Sequence, residues 1–444
     1  MKILLLDPYP KNKYRISKDT SGGYGTGNDF GDTLVAKFLK QAIKKNSDWP
    51  PLFAAYTFSS IKKNGHEINY KQELPADIDQ YNLIIIVSSI VSHETEINVI
   101  KNIKKINKDK KIFIIGPFAT SNSKLYLKYG VSVILGEPEF FFFQNKNLEN
   151  FFNQEIILSN QKSTELEHLP YPDWISMGYD LKKINNLFGK NNSVPILGTR
   201  GCPFSCFKYC VYPLQQGRKV RQRTPKDIVQ EIKFFRKNFN VKMFIFRDPV
   251  FSINRKHTVE FCNELINENL KVNFVIETHL KILDTELILL LKKSGLKGVK
   301  VGIESYSENI LSDVNRYSEK KDLQKTKITE LHKNNIMVSA MYIIAFPTDD
   351  DESVNDTINY SIKLNTAYSQ FSVWTPYPGT PIFAEYENKI ISEKLENFTQ
   401  YQLVYQHEKL TKEKVRKLLG RAYSKYYLRL LWIIQFVKQL YFSK

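Results

Sequence analysis

Short apolar runs alternate with amphipathic helical patterns along the first third of the chain. Four runs of β-branched and aliphatic residues predict strands, each ending at a polar or glycine-containing turn. Helical spacing covers Leu34 to Lys45 and Pro51 to Asn64. The predicted strands are Ile3 to Leu6, Leu83 to Ser88, Lys111 to Ile115 and Ser132 to Leu135. Strands that alternate with helices predict an α/β domain over residues 1–145, with a parallel sheet of the Rossmann or flavodoxin type.

A second alternating series begins after residues 146–190, where periodicity is lost and Pro170 and Pro172 occur. We interpret 146–190 as a linker. Six further strand patterns predict a partial (β/α)6 barrel of the TIM type over residues 191–385, with its chemistry at the carboxyl ends of the strands. These strands are Val194 to Thr199, Met243 to Arg247, Asn273 to Glu277, Gly298 to Gly302, Met337 to Ala345 and Gln370 to Thr375. Residues 386–444 are predicted to form a helical extension.

The last predicted helix carries an apolar stripe, which comprises Tyr427, Leu430, Leu431, Ile434, Val437 and Tyr441. Such a stripe either packs on the barrel or lies in a membrane interface. Attraction to anionic lipid would favour the membrane, but scattered lysines are screened at physiological salt. We therefore predict that the stripe packs on the barrel, with peripheral membrane contact left open.

Composition restricts the class of protein. The 444 residues are 42% hydrophobic, which excludes wholesale disorder and favours more than one domain. The apolar run from Ile3 to Leu6 is too short for a secretory signal, so we expect a cytoplasmic protein. The net charge of +18 comes from lysines scattered along the chain without an Arg-rich tail, a distribution that disfavours nucleic acid as the partner.

Three of the four cysteines lie within nine residues, directly after the first predicted barrel strand: Cys202, Cys206 and Cys210. Three thiolates on one loop indicate a metal site, with zinc and iron–sulfur as the options. Structural zinc usually takes four protein ligands, and the sequence has no second cysteine pair. A [4Fe–4S] cluster held by three cysteines keeps one iron open. Cys262, in the middle of a predicted helix, is interpreted as a buried apolar side chain.

The cysteine loop and the strand ends together resemble the radical S-adenosylmethionine enzymes. The matching segments are GTRGCPFSCFKYC, FIFRDPVF, FVIETHL, VGIES, AFPTDDDES and TPYPGTPIF. The resemblance implies that the three cysteines hold a [4Fe–4S] cluster and that S-adenosylmethionine binds beside it. The cofactor-binding residues that it implies in the barrel are Tyr209, Asp248, Glu277, Gly302 and Glu304. The loop reads C-x3-C-x3-C, one residue longer than the family's common C-x3-C-x2-C.

The α/β domain ahead of the barrel resembles that of the cobalamin-binding radical enzymes. The segments that carry this weaker likeness are NGHEI, LIIIVSS, IIGPFAT and ILGEPEF. The likeness implies a corrinoid at the strand ends, beside Ser88, Ser89, Gly116 and Gly136. The Asp-x-His-x-x-Gly motif is absent, so neither His66 nor His93 is expected to ligate cobalt. The glycine-rich segment Ser21 to Gly31 is predicted to be a mobile loop over a buried ligand.

The two resemblances together imply reductive cleavage of S-adenosylmethionine and methyl transfer to an unactivated carbon. The substrate would be an unidentified small molecule or lipid, and the electron donor a protein of the flavodoxin or ferredoxin type. The alternatives are a radical enzyme without cobalamin that performs an oxidation or rearrangement, and a non-catalytic metal-binding module. A methylthiotransferase-like enzyme is disfavoured because no cysteine precedes Cys202.

Overall fold

The computed structural model describes residues 1–10, 18–44, 51–159, 166–181 and 192–442. The strands are β1 (Lys2–Leu6), β2 (Glu67–Lys71), β3 (Leu83–Val87), β4 (Lys111–Ile115), β5 (Ser132–Leu135), β6 (Ile156–Leu158), β7 (Ser193–Ile196), β8 (Thr199–Arg200), β9 (Arg221–Gln222), β10 (Met243–Phe246), β11 (Asn273–Glu277), β12 (Leu296–Glu304), β13 (Met337–Ile344) and β14 (Tyr368–Val373). The helices are α1 (Leu34–Lys44), α2 (Leu52–Lys63), α3 (His93–Ile106), α4 (Pro117–Ser121), α5 (Lys124–Leu127), α6 (Pro138–Gln144), α7 (Tyr212–Gln216), α8 (Pro225–Phe239), α9 (Arg255–Asn267), α10 (Thr285–Ser294), α11 (Glu308–Asp313), α12 (Lys321–Lys333), α13 (Asp351–Leu364), α14 (Pro381–Tyr386), α15 (Lys412–Tyr427) and α16 (Leu430–Phe442).

The N-terminal sheet is parallel, with the strand order β2-β1-β3-β4-β5-β6. The order of its first five strands is that of the flavodoxin-like fold. Strand β3 reads LIIIV and is buried at all five positions, as expected for a central strand covered by helices on both faces. The α/β prediction for this part of the chain is confirmed.

The range 146–190, predicted as a linker, contributes to this sheet. Strand β6 lies inside that range and pairs in parallel with β5, so Ile156 lies opposite Val133. The segment has no clear period because β6 is only three residues long and lies at the edge of the sheet. Residues 160–165 and 182–190 of the predicted linker lie outside the described residues.

The second sheet is the predicted partial barrel. Its six strands are parallel, in the order β14-β13-β12-β11-β10-β7, and β7 and β14 are its edges. Helices α8, α9, α10, α12 and α13 connect successive strands. Because all six strands run in the same direction, their carboxyl ends meet at one rim. The hairpin β8–β9 and the cysteine loop within it follow the first strand at that rim.

Helix α15 covers the free edge of β14. The Tyr423 hydroxyl accepts a hydrogen bond from the Phe371 amide at 3.0 Å and donates one to the Phe371 carbonyl at 2.9 Å. One turn later, the Tyr427 hydroxyl makes the same pair of bonds with Ser369, at 3.0 and 2.8 Å. The two hydroxyls form the backbone hydrogen bonds that a neighbouring strand would otherwise make with this edge strand.

We expect Tyr423→Phe to lower the free energy of unfolding by about 1–3 kcal/mol, because it leaves the buried N–H and C=O of Phe371 unpaired. The control, Tyr317→Phe, removes a half-exposed hydroxyl that bonds Glu319, and should change that free energy by less than about 0.5 kcal/mol. Urea denaturation measures both. Equal losses in the two variants would show that the α15 hydroxyls do not stabilise the sheet edge.

The prediction that the whole C-terminal stripe packs on the barrel is wrong for most of its residues. Tyr427 packs on β14, but α15 ends there, and α16 begins at Leu430 after a break at Leu428 and Arg429. Leu430, Leu431, Ile434 and Val437 are exposed. The side chain of Tyr441 lies outside the described residues. Among the described helices, we find none with both the length and the apolar content of a membrane span.

Candidate active site

The cysteine loop is closed by the short hairpin β8–β9. Gly201, directly before Cys202, has a φ of +84°, and a Cβ there would lie 2.1 Å from the carbonyl oxygen of Lys219. Only glycine fits this close approach of the two hairpin arms. The Cys202 amide donates to the Gly217 carbonyl at 3.3 Å. The hairpin thus holds the loop at the barrel rim, where the sequence predicts the metal site.

The three thiols of the loop differ in their surroundings. Cys202 and Cys206 are buried and Cys210 is half-buried. The Cys210 amide donates to the Cys206 carbonyl at 3.1 Å, in a turn that brings their thiols within hydrogen-bonding reach. That thiol contact and the Arg316 guanidinium, 3.8 Å from the Cys206 sulfur, lower the pKa of Cys206 to about 6. Burial raises the pKa of Cys202.

The donor set fits an iron–sulfur cluster better than a hard cation. The loop offers three sulfurs and a cationic neighbour, and thiolates are the usual ligands of such clusters. Within the described ranges, however, no three His, Cys, Asp or Glu side chains already converge as a complete metal-binding group. Ligation therefore requires side-chain rotation in the loop. The assignment of Cys202, Cys206 and Cys210 as ligands stays a prediction.

An ion pair at the end of β12 faces the cysteine loop. Glu304 Oε1 lies 3.0 Å from Arg316 Nη2, which also donates to the Gly302 carbonyl at 3.3 Å. A Cβ on Gly302 would lie 2.3 Å from Glu304 Oε1, so only glycine leaves room for the pair. Glu304 has a φ of +64°, which is rare for a residue with a side chain. The sequence analysis missed Arg316 because no motif surrounds it.

Tyr209, directly before Cys210 in the cysteine loop, packs beside the end of β13. Its ring meets that of Phe346 edge to face at 6.3 Å, and burial with the nearby Glu304 charge raises its pKa well above the ordinary value. The predicted residues Tyr209, Gly302 and Glu304 therefore come together beside Cys206. Their common neighbour is Arg316.

Asp248 binds the backbone at the start of the cysteine hairpin. Its Oδ2 accepts from the Gly198 amide at 3.1 Å, and its side chain is buried. Burial raises the pKa of Asp248 to about 7. This residue was predicted to bind cofactor. In the structure, it joins the carboxyl ends of β7 and β10 and so positions the loop.

Glu277, at the end of β11, belongs to a group of charges that the sequence analysis did not identify. Arg247 Nε lies 2.9 Å from Asp19 Oδ2 in the N-terminal domain, and Arg247 also donates to the Asp19 carbonyl at 2.5 Å. Burial, together with the charge of Arg247, lowers the pKa of Lys300 to about 8, although Glu277 and Asp19 oppose the shift. The barrel rim therefore carries a second polar site next to the N-terminal domain.

The residues predicted to hold a corrinoid lie together at the carboxyl edge of the N-terminal sheet. Ser88 Oγ accepts from the Ala119 amide at 3.1 Å, and Ser89 donates from both its amide and its hydroxyl to Glu96 Oε1. Gly116 has a φ of +118°, and a Cβ there would lie 2.9 Å from Ser88 Oγ. Both serines and Gly116 are buried.

Gly136, the fourth of these residues, connects the two domains. Its amide donates to Thr120 Oγ1 at 3.1 Å within the N-terminal domain. Its carbonyl accepts from Gln215 Nε2, also at 3.1 Å, and Gln215 lies on α7 of the cysteine hairpin. The edge predicted to bind a corrinoid therefore contacts the segment that carries the cysteines.

The histidines of the N-terminal domain have structural surroundings. His66 Nε2 lies 2.9 Å from the Lys146 carbonyl oxygen. His93 packs edge to face on Phe118 and Tyr126, and burial lowers its pKa to about 4, so the ring is neutral at physiological pH.

A buried ion network lies beneath the same sheet edge. Lys18 Nζ lies 3.0 Å from Asp7 Oδ1 and 3.1 Å from Glu96 Oε1, and it donates to the Val87 carbonyl at 2.8 Å. The Tyr126 hydroxyl donates to Glu96 Oε2 at 2.7 Å. All three charged side chains are fully buried. Burial raises the pKa of Glu96 to about 7, although Lys18 lowers it.

The glycine-rich segment Ser21 to Gly31 packs between the N-terminal domain and the cysteine hairpin. A Cβ on Gly22 would lie 3.0 Å from the Tyr212 backbone in the cysteine hairpin, and one on Gly23 would lie 2.5 Å from the Pro117 ring. The segment was predicted to be a mobile loop over a ligand. In the structure, it packs directly on Pro117, so protein covers the strand end at which a corrinoid is predicted.

Two arginines clamp the cysteine hairpin to the N-terminal sheet. Arg200 Nη1 lies 3.1 Å from Glu137 Oε1 and 2.5 Å from Glu139 Oε1. Arg221 binds Glu137 through two hydrogen bonds of 2.7 and 2.8 Å. Both glutamates follow β5, and all four side chains are at least nine-tenths buried. The barrel rim and the sheet edge therefore face each other as one continuous region.

Comparison with known proteins agrees with this architecture. Residues 196–361 match the radical SAM superfamily model. An uncharacterized methyltransferase of Pyrococcus horikoshii is 24% identical, over 89% of this chain and 92% of the relative. The bacteriochlorophyllide d C-12(1)-methyltransferase of Chlorobaculum tepidum is 26% identical, over 50% of this chain and 49% of the relative.

Solved structures share the two-domain fold. The radical S-adenosylmethionine methyltransferase TsrM from Kitasatospora setae, solved with cobalamin and a [4Fe–4S] cluster, superimposes with a TM-score of 0.64 at 13% identity and covers 95% of this chain and 87% of its own. OxsB, a cobalamin-dependent S-adenosylmethionine radical enzyme, superimposes with a TM-score of 0.54 at 10% identity. The superposition covers 86% of this chain and 55% of OxsB. With the superfamily match, these findings show a radical S-adenosylmethionine domain over residues 196–361, in a chain that shares the two-domain fold of the cobalamin-dependent structures.

Proposed function

We propose that this protein is a cobalamin-dependent radical S-adenosylmethionine methyltransferase. The observation that carries the proposal is the clamp of Arg200 and Arg221 on Glu137 and Glu139. The clamp sets the cysteine hairpin directly against the sheet edge at which a corrinoid is expected. A methyl donor and a radical-generating centre must act on one substrate, so their binding regions must lie next to each other.

The cysteine loop would hold the metal centre. We assign Cys202, Cys206 and Cys210 as the three ligands of a [4Fe–4S] cluster. When bound, the cluster and S-adenosylmethionine supply a carbon radical by reductive cleavage, and the corrinoid supplies the methyl group. The chain itself supplies thiolate ligands, the hairpin that orients them and the buried surface that keeps water from the reacting carbon.

The end of β12 would bind S-adenosylmethionine. The space above Gly302 is filled by the Glu304–Arg316 pair, and the Glu304 carboxylate at this strand end is an acceptor for hydroxyl or ammonium groups. Arg316 holds Glu304 in place through the 3.0 Å ion pair. Tyr209 and Phe346 present apolar rings on the neighbouring side. The corrinoid would lie against Ser88, Ser89, Gly116 and Gly136 after a shift of the segment Ser21 to Gly31.

Radical S-adenosylmethionine chemistry needs a reductant and a substrate. We propose that the reductant is a protein of the flavodoxin or ferredoxin type. The exposed arm of the cysteine hairpin carries Arg218 and Lys219, close in sequence to the cluster loop. A basic rim beside a redox centre suits an acidic partner, since charge complementarity speeds encounter.

A radical enzyme without cobalamin is the second candidate. The observation in its favour is that protein covers the strand end at which a corrinoid is predicted. Gly23 packs on Pro117 there, and Lys18 belongs to the buried ion network beneath it. In that case, the N-terminal domain would bind substrate or only support the barrel. Oxidation or rearrangement of the substrate would then be the reaction.

Anaerobic reconstitution separates the two candidates. With iron, sulfide and hydroxocobalamin, the first candidate should give about four irons per chain and a bound corrinoid with a shifted visible spectrum. After chemical reduction of the bound corrinoid to its Co(I) form, methyl-labelled S-adenosylmethionine should transfer its label to that corrinoid. Iron binding and cleavage of S-adenosylmethionine without any corrinoid binding would support the second candidate.

Substitution of two glycines tests where the corrinoid binds. Gly116→Val should abolish corrinoid binding and retain the iron, because its side chain would meet Ser88 at the proposed site. Gly130→Val is the matched control: Gly130 also has a positive φ, of +66°, but an added Cβ there meets nothing within 4 Å. Both variants carry the backbone strain of a side chain at positive φ. Equal corrinoid binding by the two would exclude the Gly116 edge.

A further inference from the structure

Helix α16 is apolar around most of its circumference but is covered on one side only. Trp432 anchors it to the barrel, because its Nε1 donates to the Ala367 carbonyl at 2.8 Å. The Trp432 ring meets Tyr427 edge to face at 4.7 Å and stacks on Phe436, one turn later, at 4.9 Å. These contacts fix which side of α16 faces the protein.

The other side of α16 is exposed. Leu430 is 72% exposed, Leu431 55%, Ile434 43% and Val437 44%. These positions recur at helical spacing and form one continuous face. Leu428, at 63%, extends the face into the turn before the helix. We call these five residues the α16 face. Contiguous apolar surface on a protein marks a site of interaction, whereas single exposed apolar residues do not.

All charged residues in the sequence around α16 are basic. From Lys414 to Lys444, the sequence has eight Lys or Arg residues and no Asp or Glu. Nearly half of the net charge of +18 is therefore carried by the last 31 residues. An apolar helix with basic flanks and no acidic residue is complementary to an anionic surface.

A shallow depression of about 370 Å³ joins α15 to the α16 face. Its lining is Arg421, Ser424, Lys425, Leu428 and Arg429. Arg429 already donates to the Tyr426 and Ile362 carbonyls, whereas Arg421 and Lys425 are exposed, and two cations beside a small depression suit a phosphate group. Leu428 belongs both to this depression and to the α16 face, so a phosphate and an apolar chain could be bound side by side.

We propose that the α16 face and the basic end of α15 form a binding site for the surface of an anionic phospholipid bilayer. The 13 residues of α16 span about 20 Å, short of the bilayer core of about 30 Å, so the helix lies in the interface rather than across it. Its apolar face enters the boundary between headgroups and acyl chains. Arg421 and Lys425 bind lipid phosphates at the rim.

Vesicle sedimentation of the intact, cluster-loaded protein tests this site. The vesicles contain phosphatidylglycerol and phosphatidylcholine in a ratio of about 3:7, or phosphatidylcholine alone, at about 0.15 M salt. The protein should partition to the anionic vesicles at least about ten-fold more strongly. Leu431→Ser with Ile434→Ser should reduce that partition at least about ten-fold. Arg421→Gln with Lys425→Gln should remove most of the preference for anionic lipid.

Matched controls use the same substitutions elsewhere on the barrel. Leu289→Ser with Leu323→Ser removes two apolar side chains of similar exposure, 51% and 46%. Lys226→Gln with Lys256→Gln removes two exposed charges. Neither pair should change vesicle binding by more than about two-fold. All variants should keep their iron, which shows that the barrel is intact.

Two results would overturn the proposal. The first is equal sedimentation with the two kinds of vesicle, or vesicle binding that survives the α16 substitutions. The second is a stable dimer in the absence of lipid that Leu431→Ser with Ile434→Ser converts to a monomer, because the α16 face would then be covered by a second copy of the chain. Analytical ultracentrifugation measures this directly. Neither measurement depends on the reaction that the enzyme performs.

Discussion

The variants Cys202→Ala, Cys206→Ala and Cys210→Ala should each lose more than about nine-tenths of the reconstituted iron and all cleavage of S-adenosylmethionine. A cluster with three protein ligands has no substitute for a lost thiolate, and the open iron is already assigned to the cofactor. The contact between the Cys206 and Cys210 thiols makes these two ligands interdependent. Iron and sulfide analysis, the paramagnetic resonance of the reduced protein and the yield of 5′-deoxyadenosine measure the losses.

Cys262→Ala is the matched control, since it removes the one cysteine outside the loop. Cys262 is fully buried in α9, and burial raises the pKa of its thiol to about 11, so it is not a thiolate at physiological pH. This variant should keep its iron and its cleavage activity. Loss of iron from Cys262→Ala together with full iron in Cys210→Ala would refute the ligand assignment.

Lys18→Met should lower the free energy of unfolding by about 3–5 kcal/mol, because it leaves Asp7 and Glu96 buried without their cation. The distances of 3.0 and 3.1 Å show that one ammonium group serves both carboxylates. Lys62→Met is the control: it removes an ion pair with Asp173 that is partly exposed, and should cost less than about 1 kcal/mol. Urea denaturation at pH 8 compares the two.

The pH dependence gives a second measurement of the same network. Burial raises the pKa of Glu96 from 4.5 to about 7. Between these values, the folded protein keeps a proton that the unfolded chain has lost, so the stability associated with Glu96 falls as pH rises through this window. Without Lys18, the ionised form loses its partner and this pKa rises further. The loss caused by Lys18→Met should therefore be larger at pH 8 than at pH 5, and an equal loss at both would contradict the charge argument.

Ten of the twelve strands in the two six-stranded sheets could be predicted because their residues carry local information. LIIIV at β3 and MFIF at β10 are buried at every position, and uninterrupted apolar runs of this length are typical of parallel strands. Strand β2 was missed because only Ile68 of EINYK is buried, and strand β6 was missed because three residues at a sheet edge give too little pattern. Its place in the sheet depends on pairing with β5, which is a tertiary contact.

In the candidate site, too, some residues could be predicted from the sequence and others could not. The cysteine loop, Gly302 and Glu304 could be located from motifs at the strand ends. Arg316 could not, because it reaches Glu304 and Cys206 across space from a segment without a motif. Asp248 stands in a recognisable motif, but its partner, the Gly198 amide, is visible only in the folded chain.

The amino-acid pattern alone was sufficient to predict the two α/β units and a metal site on the cysteine loop, because these depend on periodicity and on three thiols along one loop. The enzyme class came from the resemblance of the loop and the strand ends to a known family. Tertiary structure decided which surfaces meet: the hairpin clamped to Glu137, the segment at Gly22 wedged between the domains, and Lys18 buried with two carboxylates. It also decided that the α16 face is uncovered, although its stripe was visible in the sequence. The physical reason is that periodicity specifies which side of an element is apolar, whereas burial depends on the direction in which the chain leaves the preceding element, here at the turn between Tyr427 and Leu430.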